Sequence, residues 1–408
     1  MRIVHTADWH LCNRLGRIDR TADLKQRIER VAELCEEKAA DVLLIAGDLF
    51  SEYAELEHLA DAFEHIHKTF TSFFQRGGTI LAITGNHDRD HKINAVRSGM
   101  RLAVPFAGEG GILAGGRMYL VNGRAFTKLR GADGNLVQFV LLPYPFPSRY
   151  DLSKDDIQSK EHTHTVLHAK VAEWVQKVPD LPDFDKKLPT VIGAHLHVRG
   201  SEIHTPYRMN AADDVMFDYA DLNPGWAYIA LGHIHKPQLV MNLPHVRYSG
   251  SLDRLDFGET HEDHGVLFVE VGPQGSIGEP ERLPIPATPF LTIALADVDA
   301  ELPLLAEQYP ERERAIVRVN VSPHAMAMSR DEATRTLRHT FPRLHELNWL
   351  RVEKADDEQT GPRVNVKTSL EESVRGYLDS LDDFQAEPEI EEVDLRKVLD
   401  TFLNGGAA

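Results

Sequence analysis

Two hydrophobic periods alternate along the first part of the chain. Ile3-Val4 opens a short apolar run, after which Leu24, Ile28, Val31 and Leu34 recur at the three- and four-residue spacing of one helical face. Asp41–Ala46 then reads as a buried strand. Leu59, Phe63, Ile66, Phe70 and Phe73 mark a second helix, which Gly77-Gly78 ends before the strand Thr79–Thr84. These are two strand–helix–strand units, the pattern of an α/β fold. Further strands are predicted at Val137–Leu142, Thr190–Gly193, Ala227–Leu231 and Val266–Val271 in a mixed sheet. Between them, 204–225 lacks long apolar runs and reads as a loop inserted over the sheet edge.

A proline-rich joint at Pro284–Pro289 introduces a different pattern. It predicts a strand at Phe290–Leu295, a helix at Leu302–Gln308, a strand at Ala315–Val321, a helix at Asp331–His339 and a strand at Trp349–Val352. This is a small α+β unit. Beyond Gly361-Pro362, a capping-box start at Ser369–Glu372 leads into Leu370, Val374, Tyr377, Leu378 and Leu381 on one helical face; Leu395, Val398, Leu399 and Phe402 repeat that spacing after Pro388. The expected domains are therefore 1–284, 285–355 and an acidic tail with two amphipathic helices over 356–408. At 408 residues the chain exceeds what one core usually supports.

Composition changes this picture little, and charge changes it locally. With 42% hydrophobic and 26% charged residues the chain is ordinary for a globular protein. No segment has the length and apolar character to span a bilayer, and the start, Arg2-Ile3-Val4-His5, is unlike a signal peptide, so a cytoplasmic, non-membrane protein is expected. Cys12 and Cys35 are too few for a disulfide framework or a zinc ribbon. A net charge of −18 argues against a protein that coats DNA non-specifically, but residues 351–408 alone hold 15 acidic against 7 basic residues. One basic groove elsewhere remains compatible with that total. The tail helices could dock a partner or pack on their own domain.

The chemistry lies in where polar residues fall. Asp8 and His10 follow the first strand; Asp48 follows the second within Gly47-Asp48-Leu49-Phe50; Asn86, His87 and Asp88 follow the third, after Gly85. His195 follows a later strand, and His233 and His235 stand in Gly232-His233-Ile234-His235. The C-terminal edge of an open α/β sheet is where ligands bind. Residues two apart in an extended segment share a face, so Asp8 can join His10, and His233 can join His235. Glycines before each group permit tight turns. Solvated strand ends and capped turns would explain any one of these groups, but not all of them in this order. Carboxylate, imidazole and amide donors together suit manganese, iron or zinc better than calcium.

These residues resemble the signature of the calcineurin-like metallophosphoesterases: Asp-x-His, Gly-Asp, Gly-Asn-His-Asp, a single His and Gly-His-x-His. The resemblance implies a four-layer sandwich of mixed sheets flanked by helices, with a small α+β capping domain and C-terminal helices. It implies two divalent metal ions, manganese first, with iron or zinc as alternatives. Asp8, His10 and His235 would hold one, Asn86, His195 and His233 the other, and Asp48 would bridge them, His195 being favoured over His197. His87 would be a catalytic acid, and Asp88 would orient His87 or cap the following turn. The chemistry would be hydrolysis of a phosphodiester.

Two further segments, His5–Leu11 with Arg20 downstream and Tyr248–Glu259, resemble those of SbcD-type nucleases. That resemblance implies a nuclease acting on DNA ends, working with an SbcC-like coiled-coil ATPase. It also implies a homodimer formed through helices near Leu56–Phe74 and Ile93–Leu102. Candidate DNA contacts are Arg14, Arg17, Arg20, Arg89, Lys92 and Lys236. The competing expectations are a phosphodiesterase of cyclic nucleotides or other small molecules, and a non-catalytic scaffold of the same fold.

Overall fold

Buried, β-branched runs pair in parallel to start the first sheet. The computed structural model describes residues 1–103, 110–203, 214–222, 225–322 and 327–350. Strand β1 (Arg2–Thr6) leads through helix α1 (Thr21–Glu37) to β2 (Val42–Ala46), helix α2 (Leu56–Thr69), β3 (Thr79–Ile83), helix α3 (Asp90–Ala103) and β4 (Met118–Val121). These four strands lie side by side in parallel. The chain then enters a second sheet with β5 (Ala125–Arg130), β6 (Leu136–Leu142), helix α4 (Lys160–Lys177), β7 (Thr190–His195), β8 (Tyr228–Gly232), β9 (Gln238–Val240) and β10 (Leu243–Tyr248). Its order is β9-β10-β8-β7-β6-β5, parallel at its centre and antiparallel at both edges. Strand β11 (Gly265–Gly272) returns to the first sheet antiparallel to β1, and β12 (Glu281–Pro284) pairs with β11.

Side-chain alternation turns these sheets into layers. Ile3, Val42, Leu44, Leu81 and Ile83 meet Phe139, Leu141, Val191 and Ala230 between the sheets. Their neighbours Val4, Leu43, Ile45 and Ile80 pack instead against Leu24, Ile28 and Val31 of α1 and Leu59 and Ile66 of α2. On the far side, Val140, Leu142, Ile192 and Leu231 pack against Leu167, Val171 and Val175 of α4. The result is the expected helix–sheet–sheet–helix sandwich. The two cores also explain why the central strands read as nearly continuous apolar runs.

Residues from Phe290 build a separate parallel sheet of β13 (Phe290–Leu295), β14 (Ile316–Val321) and β15 (Leu344–Trp349), with helix α5 (Arg330–Thr340) before its last strand. Its own core includes Ile293, Val317, Val319, Leu337 and Phe341. The last strand precedes the expected Trp349–Val352. The register shifts between Val317 and Arg318, which pair with Leu344 and Glu346 and leave His345 as an extra residue. The inward side chains Leu344, Leu347 and Trp349 therefore lose the simple alternation that marks a strand. The expected helix over Leu59–Phe73 is likewise divided, into α2 and a short helix Thr71–Gln75, where the Thr71 hydroxyl donates to the His67 carbonyl at 2.7 Å. The tail helices expected over 356–408, residues 351–352 and most of 204–225 lie outside the described residues. Among the described residues no helix is long and apolar enough to cross a membrane.

Candidate metal centre

Strands β1, β2 and β3 of one sheet and β7 and β8 of the other run out at a common rim, and the polar residues follow them there. The backbone at this rim is not extended: Asp8 has φ 51°, His10 45°, Asp48 50° and His233 97°. Non-glycine residues rarely adopt this left-handed region. Asp8 and His10 do meet, but through these turns and not through strand alternation. Their conformation is held from the next loop, where Gly47 and Asp48 carbonyls accept from the Asp8 and His10 amides, both at 3.0 Å. Across the seam between the sheets, the His233 amide donates to both Asp8 carboxylate oxygens at 3.1 Å. The glycines serve close approach more than turning. A β-carbon on Gly47 (φ 99°) would overlap the His195 ring, and one on Gly85 would overlap the Asp48 carboxylate.

Donor atoms of Asp8, His10 and His235 lie within 4.8 Å of one another, as do those of Asp8, Asp48 and His195, and those of His10, Asp48 and His87. Asn86 completes the second side: its Oδ1 is 3.0 Å from His195 Nε2 and 3.0 Å from His233 Nδ1. The outer nitrogen of three of these rings is occupied. His195 Nδ1 donates to the Ala46 carbonyl at 2.7 Å, His233 Nε2 to Asp214 at 2.5 Å, and His235 Nδ1 to Glu259 at 2.8 Å. Such partners fix the tautomer and turn the inner nitrogen's lone pair toward a metal.

The electrostatics show what the cluster attracts. Burial opposes charge on His195, yet Asp48 and then Asp8 override it and raise its pKa to about 9. Burial likewise opposes charge on His235, and Glu259, Asp8 and Asp48 raise it to about 9. His10 goes the other way: burial, reinforced by the charges of His87 and His235, holds it well below its usual value despite Asp48. Asp48 resists burial because His195, His87 and His10 hold its carboxyl well below the usual carboxylate range. Carboxylates and lone pairs converge here and favour positive charge, seen in the raised pKa values of His195 and His235. The donor set is imidazole nitrogen with carboxylate and amide oxygen, which fits divalent cations of intermediate hardness.

Two residues that shape the site, Glu52 and Asp214, carry no sequence signal of their own. His87 Nδ1 bonds Glu52 at 2.8 Å, and its amide donates to Asp48 Oδ1 at 2.8 Å. Asp88, expected either to orient His87 or to cap the following turn, instead bonds backward: it is fully buried and accepts from the amides of Gly85 (2.8 Å), Phe50 (2.9 Å) and Leu49 (3.2 Å), all before it in the chain. Burial and the neighbouring Asp48 raise its pKa to about 6. Asp214, from the inserted stretch, accepts from Tyr144 at 2.9 Å and contacts His197 at 3.2 Å as well as His233. His197 thus stands behind His233, on the far side of the Asp214 carboxylate.

The expected DNA contacts divide. Arg14, Arg17 and Arg89 are exposed. Lys92 is tied to the Ala54 carbonyl at 2.6 Å and to Glu55, and Lys236 to Glu202. Arg20 is a correction: only 1% exposed, it reaches Asp253 at 3.1 Å, the Arg254 carbonyl at 2.8 Å and Asp23 at 2.8 Å. Its guanidinium is sequestered in a buried network and cannot meet a phosphate.

Residues 1–237 match the calcineurin-like phosphoesterase family. The chain is similar to a Rhodobacter capsulatus protein named as the SbcD component of the nuclease SbcCD, with 28% identity over 331 residues, covering 77% of this chain and 78% of the relative. Proteins of the same name from Escherichia coli K12 and Bacillus subtilis are each 26% identical to it. The first covers 74% of this chain and 73% of the relative, the second 67% of each.

Proposed function

This chain belongs to the calcineurin-like phosphoesterase family and is a metal-dependent hydrolase, and from that premise we propose that its substrate is DNA. In this reading it is the nuclease component of an SbcCD-like complex, processing DNA ends in double-strand-break or hairpin repair as an exonuclease, endonuclease cleavage being the alternative. Its partners are then DNA, an SbcC-like ATPase and a second copy of the chain. The observation that carries the reading is the convergence of Asp8, His10, Asp48, Asn86, His195, His233 and His235 on one rim, in a chain similar over most of its length to proteins named as nucleases.

Asp8, His10 and His235 would hold one divalent cation and Asn86, His195 and His233 a second, with Asp48 shared and manganese the first choice. Cations held there would supply Lewis acidity, offsetting the charge of a phosphodiester and activating water. The protein's own groups do the rest. Asp214, Glu259 and the Ala46 carbonyl orient the three outer imidazoles. Glu52 holds His87 Nδ1, leaving Nε2 to hand a proton to the leaving oxygen. Arg14, Arg17 and Arg89 offer exposed charge for the DNA backbone.

The test compares manganese-dependent hydrolysis of linear duplex DNA with that of cyclic nucleotides by the purified chain, alone and with its co-purifying ATPase. Cleavage of DNA is expected. Turnover of cyclic nucleotides with DNA left intact would reassign the substrate to small phosphodiesters, and inactivity of the metal-loaded protein would favour the scaffold.

A further inference from the structure

Away from the metal rim, a cavity of about 640 Å³ opens where the edge strands of the two sheets, β4 and β5, meet helices α3 and α4. It falls within the range of small-molecule sites, roughly 300–1,000 Å³. Its lining is unusual for a chain of net charge −18, because it includes Arg97, Arg101, Arg124 and Arg149. Trp174, half-buried on α4, adds an aromatic residue to the wall.

The carboxylates on hand do not answer these cations. Asp90 is engaged by Arg149 at 2.7 Å, on a guanidinium that is fully buried behind the wall. Asp151 is the other acidic residue near the lining arginines among the described residues, 3.8 Å from Arg124 and with 85% of its side chain in solvent, where such a pair contributes little. Among the described residues Arg97 bonds neutral groups, the Leu120 carbonyl at 2.9 Å and Asn94 at 3.1 Å. Burial and then Arg101 lower its pKa, Asp90 opposing and Arg149 adding to the effect, so the like charges outweigh the one carboxylate that faces it. Arg101 is exposed and forms no ion pair among the described residues. Arg124 lies over the Trp174 ring, 5.9 Å from its centroid, which sets a cation beside an aromatic face.

We propose that this cavity is a second, non-catalytic site that takes a free nucleoside monophosphate, its phosphate between Arg97, Arg101 and Arg124 and its base against Trp174. Guanidinium forks match phosphate oxygens, and aromatic faces stack bases with little regard to their identity. An inorganic anion would use the arginines alone, and an uncharged nucleoside the Trp174 ring alone, so the combination selects the nucleotide.

Isothermal titration of the full chain with deoxyadenosine monophosphate, in chelator so that the metal rim offers no competing phosphate site, tests this. The nucleotide should bind roughly tenfold or more tightly than deoxyadenosine or inorganic phosphate. Arg101→Glu with Arg124→Glu, both at the cavity's outer wall, should weaken it by roughly tenfold or more while the unfolding midpoint stays put. Trp174→Ala should weaken the nucleotide and leave phosphate unchanged. Absence of binding by the wild-type chain overturns the proposal, as does deoxyadenosine binding as well as its phosphate. Unchanged nucleotide affinity in the charge-reversed variant, accompanied by a changed oligomeric state, would assign the cavity to a contact between chains and overturn it equally.

Discussion

Replacing Glu52 by Ala removes the carboxylate that bonds the His87 ring, and the structure sets the size of the effect. The contact is 2.8 Å, and the two side chains are 16% and 11% exposed, so water screens it little. A hydrogen bond with a charged partner in such surroundings contributes about 1.5–3 kcal/mol. If the bond orients His87 for proton transfer, its loss corresponds to a fall of roughly 10- to 150-fold in kcat/KM. Glu52 is in none of the donor groups that could hold a cation among the described residues, so manganese content should be unchanged. Glu52→Gln keeps an acceptor but not the charge, and should recover part of the loss. The assay is steady-state cleavage of a linear DNA substrate, with metal content measured on the same samples. A double-mutant cycle separates the mechanism from general damage: in a His87→Ala background, Glu52→Ala should cost almost nothing more. Full additivity of the two substitutions, or a Glu52→Ala enzyme as fast as wild type, would refute the orienting role.

Asp48→Ala should abolish both cleavage and metal retention, because its carboxylate lies in two of the donor groups, whereas His87→Ala should keep the metals and lose most cleavage; metal analysis beside activity distinguishes them, and a fully active His87→Ala would remove it from the mechanism. Arg20→Ala should destabilise the fold by about 3–5 kcal/mol, since it strips a partner from the buried Asp253; chemical denaturation reads this, and an unchanged midpoint with weakened DNA binding would restore Arg20 as a DNA contact. The raised pKa values of His195 and His235, about 9 in the fold against 6.5 unfolded, give a pH dependence of defined sign. Their protons stabilise the metal-free fold fully below pH 6.5, and that contribution is lost as pH rises through 9. Manganese competes for the same nitrogens, so the rise in melting temperature it produces should grow between pH 6.5 and 9; a constant or shrinking rise contradicts the assignment.

The inner residues of this site are legible in the sequence because each follows a recognisable strand and a glycine, so local pattern and position carry the signal together. The residues that steer them are not. Glu52, Asp214 and Glu259 reach their histidines across 35, 19 and 24 positions of chain, and nothing in a carboxylate's immediate neighbours tells that it will meet an imidazole and not water. Arg20 misleads for the same reason: a basic residue after a metal motif reads as a phosphate contact until Asp253, 233 positions away, comes into view. In the fold, strands buried on both faces are legible by their unbroken apolar runs, while the edge strands β4, β5 and β9, short or half-exposed, are not. The one misplaced strand, β15, is the one whose alternation a bulge interrupts.

The seam between the sheets connects these observations. Each sheet packs its own helices, so neither outer core requires the other, and only the layer around Ile3, Leu44, Leu141 and Val191 joins them without direction. Direction comes from the rim. His195 on the second sheet donates to Ala46 on the first, and Asp8 after the first accepts from the amide of His233 after the second. A slip of one sheet against the other would break both bonds and separate Asp48 from His195, now 3.3 Å apart. The left-handed backbone at Asp8, His10, Asp48 and His233 is unfavourable locally and persists because this cross-sheet lattice over-determines it. The sandwich therefore holds the donors through hydrogen bonds of its own, and the register of two independently packed layers is set where the chemistry needs it.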